Sequence, residues 1–373
     1  MADLFSPLTL RSLTLKNRIV VAPMCQYSAQ GGLANDWHFV HLGRFAQGGF
    51  GLILLEATGV TPEGRISYAD LGLWEDAQIE PLRRIVAFAH TQGAAMGIQL
   101  AHAGRKAGSR KPWRGSGSSG EVDAADEGFE HWVAEAPSPL PHSDIYETPA
   151  ALDAAGLVRI KEAFVAATHR AEQAGFDTVE VHAAHGYLLN QFLSPLANQR
   201  EDTYGGSLEN RMRYPLEVVG AVRAAWPADK PLIVRISASD NHPDGWQVED
   251  SIVLSRELKQ LGVDIVDCSS GGFAQGSIKS EAHYQVHFAE AVRQGAEIGT
   301  MAVGVISDPA AADAIVTSGQ ADLVALARAA LDDPNWPLHA QHRLAHSDAV
   351  YANWPIQEGY AVRNLDRALN RWN

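Results

Sequence analysis

Leu232-Ile233-Val234-Arg235-Ile236-Ser237 places Leu232, Val234 and Ile236 on one face of a strand and Ile233, Arg235 and Ser237 on the other, because side chains alternate along an extended backbone. So apolar a run suits a strand covered on both sides, as parallel sheets require. The wholly apolar face would pack on helices, which turns Arg235 inward. Seven further runs read the same way: Ile19–Met24, Leu52–Glu56, Ala95–Leu100, Thr178–His182, Asp264–Cys268, Met301–Val305 and Leu323–Ala327. Each is followed by a helix-like stretch. Alternation of strand and helix fits either an open doubly wound sheet or a closed barrel, and the count decides. Eight βα units predict an α/β fold of the (β/α)8 TIM barrel type, with residues 1–373 as a single domain.

The helix ends are legible. Asp308 before Pro309 predicts an N-cap with proline in the first turn, and Gly319 closes that helix. Ser207 caps another. From about Asp153 to Ala174, Leu157, Ile160, Phe164, Ala167 and Ala171 recur at helical spacing, with Gly175 as the stop. One segment breaks the rhythm. Residues 104–150, rich in Gly, Ser, Pro and acids, leave the C-terminal end of the third strand, the face on which barrels build their sites. They read either as a tolerated surface insertion or as a lid over that face.

No apolar run approaches the ~20 residues of a membrane span, and the first residues lack the basic and apolar regions of a signal peptide. The expectation is a soluble, cytoplasmic protein. A net charge of −14 argues against nucleic acid or an anionic membrane as partner. The two cysteines, Cys25 and Cys268, are too few for an iron–sulfur cluster, which takes about four thiolates.

Candidate chemistry collects at strand ends. His182-Ala183-Ala184-His185-Gly186-Tyr187 closes the fourth run. Its imidazoles are core histidines satisfied by neighbours, metal ligands lacking a clear third partner, or an oxyanion clamp with Tyr187 as a nearby acid. Arg235, buried with no acid in its own strand, needs an anion. A reduced flavin offers one at N1 and the adjacent carbonyl; an internal salt bridge with Glu56 is the alternative. Gln99 shows the same inward alternation and suits the donor–acceptor edge of a flavin pyrimidine. Val303-Gly304 and Ala327-Arg328 end the seventh and eighth runs, where barrels commonly bind phosphate.

Four motifs in order carry a closer likeness. Ala22-Pro23-Met24-Cys25-Gln26-Tyr27, Gln99-Leu100-Ala101-His102-Ala103-Gly104-Arg105-Lys106, the His-Ala-Ala-His-Gly-Tyr stretch, and Tyr204-Gly205-Gly206-Ser207-Leu208-Glu209-Asn210-Arg211 together resemble the old yellow enzyme family. Cys25 with Tyr27 two residues on is similar to its thermophilic-like bacterial branch. The resemblance implies bound FMN held by Ala22, Pro23, Met24, Cys25, Ala57, Gln99, Arg235, Val303, Gly304, Ala327 and Arg328. Cys25 would lie against the flavin and tune its potential. Tyr27, His182 and His185 would hold a substrate carbonyl, and Tyr187 would donate the proton. NADPH or NADH would reduce the flavin, and an activated alkene would then take its place, in ping-pong fashion. No metal is implied. A homodimer or homotetramer is implied, with the tail at 346–373 as a contact and Arg363 as the arginine reaching a neighbouring site. There the sequence departs from the branch: Tyr360-Ala361-Val362-Arg363 has different spacing, and the tail to Asn373 is longer.

Three rival readings remain distinct. A dienoyl-CoA reductase of the same barrel needs an iron–sulfur cluster that two cysteines cannot ligate. A metal-dependent hydrolase using His182 and His185 would be colourless. A non-catalytic flavin binder would not need the complete histidine–tyrosine set.

Overall fold

The computed structural model describes residues 2–276, 278, 280–345 and 348–370. Its central feature is a closed barrel of eight parallel strands. In chain order these are β1 (Ile19–Val21), β2 (Leu52–Gly59), β3 (Ala95–Ala101), β4 (Thr178–Ala183), β5 (Leu232–Ser237), β6 (Ile265–Ser269), β7 (Gly299–Ala302) and β8 (Leu323–Leu326). Each strand is followed by a barrel helix: α1 (Asp36–Gln47), α2 (Ile79–Thr91), α3 (Ala154–Ala174), α4 (Leu208–Ala225), α5 (Val248–Gln260), α6 (Val286–Ala296), α7 (Pro309–Thr317) and α8 (Trp336–Ala345). All eight runs read as strands are strands, and β5 matches residue for residue.

The alternation expected of β5 holds. Leu232, Val234 and Ile236 pack in the shell between strands and helices, while Ile233 joins Leu54, Ile265, Met301 and Leu323 inside the barrel. A hairpin of Leu8–Leu10 and Leu13–Leu15 closes against this inner cluster. The read caps are present: Asp153 accepts from Gly156 N at 2.7 Å, Asp308 from Ala311 N at 2.9 Å and Ser207 from Asn210 N at 3.3 Å. Gly175 closes α3 at φ +91°, and Leu157, Ile160, Phe164, Ala167 and Ala171 are its buried face. In β2 the register slips between Leu55 and Ala57, a bulge that breaks the in–out alternation. Glu56 consequently pairs with His38 of α1 at 3.0 Å.

The excursion at 104–150 is more ordered than its composition suggests. It holds 3-10 turns at Gly104–Lys106 and Pro112–Arg114, a short helix at Glu121–Glu127, and a strand pair of Glu135–Ala136 with Ala150–Ala151. Within the 346–373 tail, residues 346, 347 and 371–373 lie outside the described residues. The remainder forms a 3-10 turn at Asp348–Asn353 and a helix at Ile356–Leu369, tied together by Tyr351 Oη donating to Asp366 at 2.9 Å. Among the described residues no helix is long and apolar enough to cross a membrane.

Candidate active site

A cavity of about 520 Å³ opens at the C-terminal ends of the strands. That volume is within the roughly 300–1,000 Å³ usual for small-molecule sites. Ala22, Arg235, Val303, Gly304, Ala327 and Arg328 line it, which gathers six of the residues named for the cofactor from β1, β5, β7 and β8. Gly304 stands at φ +118°, and a Cβ there would come within 3.0 Å of the Gln285 backbone nitrogen. Val305 beside it adopts φ +53°, strained for a β-branched residue, so the loop after β7 is held in a conformation that local preference opposes. Sequence reasoning missed Ser269, Gln285 and Ser307 on the same wall. The Ser269-Ser270-Gly271-Gly272 run that begins at the last residue of β6 was the available signal.

Within the protein Arg235 pairs with an acid other than Glu56, the one named as the alternative to a flavin. Its Nε lies 3.0 Å from Asp267 Oδ2, opposite it on β6, and Glu56 belongs to His38 and the Gln26 backbone N–H instead. The cause is the β2 bulge, which takes Glu56 out of the barrel. Gln99 likewise points inward but is engaged: its Nε2 donates to Glu180 Oε1 at 2.7 Å. Its carbonyl oxygen is what it retains for another donor.

The remaining cofactor candidates surround the cavity without all lining it. Met24 packs against the outer core, and Pro23 lies between Ala22 and Met24. Cys25 packs with Ala57, Ala101, Ala103 and Tyr187 in an apolar cluster. Burial pushes the Cys25 thiol up, with Asp70 and Glu56 adding to the effect, so it stays protonated. Glu56, accepting from Gln26 N–H, fixes the turn that carries Cys25 and Tyr27, and Tyr27 itself sits at φ +51°. The Trp113 ring of the excursion meets Tyr27 edge-on at 5.7 Å, which brings that segment to the site.

The β4 end assembles the three expected polar groups. The His182 ring stands edge-to-face to His185 at 5.1 Å and to Tyr187 at 4.9 Å. Burial, then the Arg235 charge, pushes both imidazoles well below their ordinary range, so they are neutral. Ala184 N–H donates to His182 Nδ1 at 3.2 Å, which leaves the ring proton on Nε2 as a donor. His185 Nε2 is 2.7 Å from Ser269 Oγ, so one of its ring nitrogens is already occupied. His185 sits at φ +60°, held by Ser237 Oγ accepting from its backbone N–H at 2.8 Å. Burial holds the Tyr187 phenol protonated, pushed well above its usual value. Lys106 was not assigned from sequence. Its Nζ donates to His185 O at 2.9 Å and lies 4.8 Å above the Tyr187 ring. Burial lowers this ammonium to about 8.

Residues 3–347 match the family model described as the NADH:flavin oxidoreductase / NADH oxidase family. The chain belongs to the old yellow enzyme family. It is 47% identical over 343 residues to an NADPH dehydrogenase of Geobacillus thermodenitrificans, covering 91% of this chain and 94% of that one. An NADPH dehydrogenase of a second Geobacillus is 45% identical over the same shares. Among solved structures, morphinone reductase superposes with a TM-score of 0.76 at 31% identity, over 92% of this chain and 90% of that one. Like its family, this old yellow enzyme homologue is an NAD(P)H oxidoreductase whose cofactor is FMN. The residues fit that group: a guanidinium faces a cavity of suitable volume, and a glycine opens the wall where a phosphate would need backbone approach.

Proposed function

We propose that this enzyme reduces the C=C bond of α,β-unsaturated carbonyl compounds (enones, enals, maleimides) and of nitroalkenes in a ping-pong cycle. The name shared by the Geobacillus relatives favours NADPH as reductant. Hydride transfer from the nicotinamide to the alkene β-carbon is the chemistry that FMN would supply when bound. Everything else falls to the chain. Ala22, Pro23, Met24, Cys25, Ala57, Gln99, Arg235, Val303, Gly304, Ala327 and Arg328 hold the cofactor. His182 Nε2–H, with His185 and Tyr27, binds the carbonyl oxygen and stabilises its developing charge. Tyr187 Oη protonates the α-carbon. Cys25, kept protonated by burial, tunes the flavin without acting as a nucleophile.

The observation that carries this reading is the pairing of a neutral imidazole donor with a protonated phenol at 4.9 Å ring separation on the β4 end. Such a pair suits polarising a carbonyl while supplying a proton to the carbon beside it. Steady-state assays with NADPH and NADH against enones, maleimides and nitroalkenes test it. Saturated product in step with nucleotide consumption is expected; nucleotide oxidation by dioxygen alone, with every alkene untouched, would refute it. Ile356 and Tyr360, exposed on the C-terminal helix, support its reading as a contact between copies that brings Arg363 to a neighbouring site. A monomer by sedimentation would remove that part.

A further inference from the structure

Beneath the cavity floor the barrel interior holds two carboxyls and one cation. Glu180 of β4 and Asp267 of β6 are both fully shielded from solvent, and Arg235 of β5 lies between their strands. Three carboxyl oxygens (Glu180 Oε2 and both Asp267 oxygens) have no aligned hydrogen-bond donor, because Arg235 Nε at 3.0 Å from Asp267 is not directed at it. Gln99 from β3 satisfies only Glu180 Oε1. The rest of the surrounding interior is Leu54, Ile233 and Met301, and His182 above is neutral. Two buried carboxylates against one guanidinium would leave a net negative charge in an apolar interior, which is costly. A single proton between the acids removes that charge and gives an orphaned oxygen its donor.

We propose that Glu180 and Asp267 share one proton, and that this proton, by balancing the Arg235 charge under the cofactor, sets the potential of the bound flavin. Glu180 is then a positioning residue: it touches neither flavin nor substrate and acts through Asp267 and Arg235. Burial, then the Asp267 charge, pushes Glu180 well up from the usual carboxylate range, so the shared proton is kept through neutrality and lost above it. Added negative charge on the flavin strengthens the hold on this proton, so across that window reduction draws up to one extra proton from solvent. By linkage, the equilibrium constant for flavin reduction then falls by up to a further tenfold per pH unit. For a two-electron couple that is about 30 mV per pH unit.

The inference rests on the bound flavin and not on which alkene is reduced. Midpoint potentials of the holoenzyme should be measured from about pH 6 to 10 for wild type and Glu180→Gln. The amide introduced by that substitution is neutral at every pH, so the variant should match wild type at low pH and lack the steeper segment above neutrality. A wild-type profile without that segment overturns the proposal, and so does a variant that retains it. Infrared spectra of ¹³C-labelled protein carrying unlabelled FMN add a readout on the acid itself. Wild type should show a protonated-carboxyl stretch that outlasts those of buried Asp70 and Asp240, raised to about 7 and about 6, and fades through the same pH window. Its absence at neutral pH overturns the proposal even if Glu180→Gln does not fold. A protein with normal potentials but no alkene turnover would instead count against the proposed reaction alone.

Discussion

Replacing Tyr187 by Phe removes one oxygen and keeps the ring that packs on the same alanine-rich cluster as Cys25 and stands edge-on to His182 at 4.9 Å. Flavin reduction by nicotinamide needs no proton from this phenol, so that half-reaction should be unchanged. Alkene reduction should slow. A positioned general acid contributes roughly 10²–10⁴-fold, or about 2.7–5.4 kcal/mol at 1.36 kcal/mol per tenfold. One feature sets the expectation toward the lower end, ~10²–10³: the Lys106 ammonium 4.8 Å away is a substitute acid near pH 8. The residual rate should therefore fall as pH rises through about 8, when Lys106 loses its proton. Anaerobic stopped-flow absorbance separates the half-reactions: bleaching with NADPH, then recovery on mixing with an enone. Equal slowing of both would show that the phenol shapes the site, and the proton would come from elsewhere.

Cys25→Ala should shift the flavin potential by no more than about 30 mV, since a sulfur–aromatic contact is worth ~0.3–1.5 kcal/mol, and turnover should persist; loss of turnover with FMN bound and potential unchanged would contradict it. Gly186→Ala should destabilise the protein by roughly 1–3 kcal/mol in denaturant, because Gly186 sits at φ +67° against the Gly272 carbonyl; an unchanged midpoint would mean the loops after β4 and β6 are free to separate. His102 is buried and lowered to about 3, its Nδ1 accepting from Gly104 N–H at 3.1 Å. The unfolded chain binds a proton at this site below about pH 6.5 and the native state does not, so stability is lost as pH falls from 6.5 toward 3. His102→Asn should flatten that acid loss of thermal midpoint, and an acid limb of undiminished slope would assign it to other groups.

The barrel was legible because each strand announces itself locally: β5 alone gives length, burial and the inward direction of Arg235. The caps at Asp153, Ser207 and Asp308 are likewise contacts within one helical turn. What could not be read depends on register between distant segments. Asp267 is 32 residues beyond Arg235 and becomes its partner only when β5 and β6 pair in parallel. Glu56 looked equally suitable until the β2 bulge turned it toward His38. Ser269 holding His185, and Lys106 reaching over Tyr187, join loops after different strands. The His182–His185–Tyr187 set was readable because all three belong to one short stretch whose backbone, with His185 at positive φ, folds back on itself.

The most direct test mixes the purified holoenzyme anaerobically with one equivalent of NADPH, then with one equivalent of an enone such as cyclohexenone, while following flavin absorbance and product. Oxidised-flavin absorbance should disappear on the first addition and return on the second, with one equivalent of saturated ketone formed. A flavin that bleaches but stays reduced in the presence of excess enone, recovering only on admission of air, would contradict the assignment as an ene-reductase.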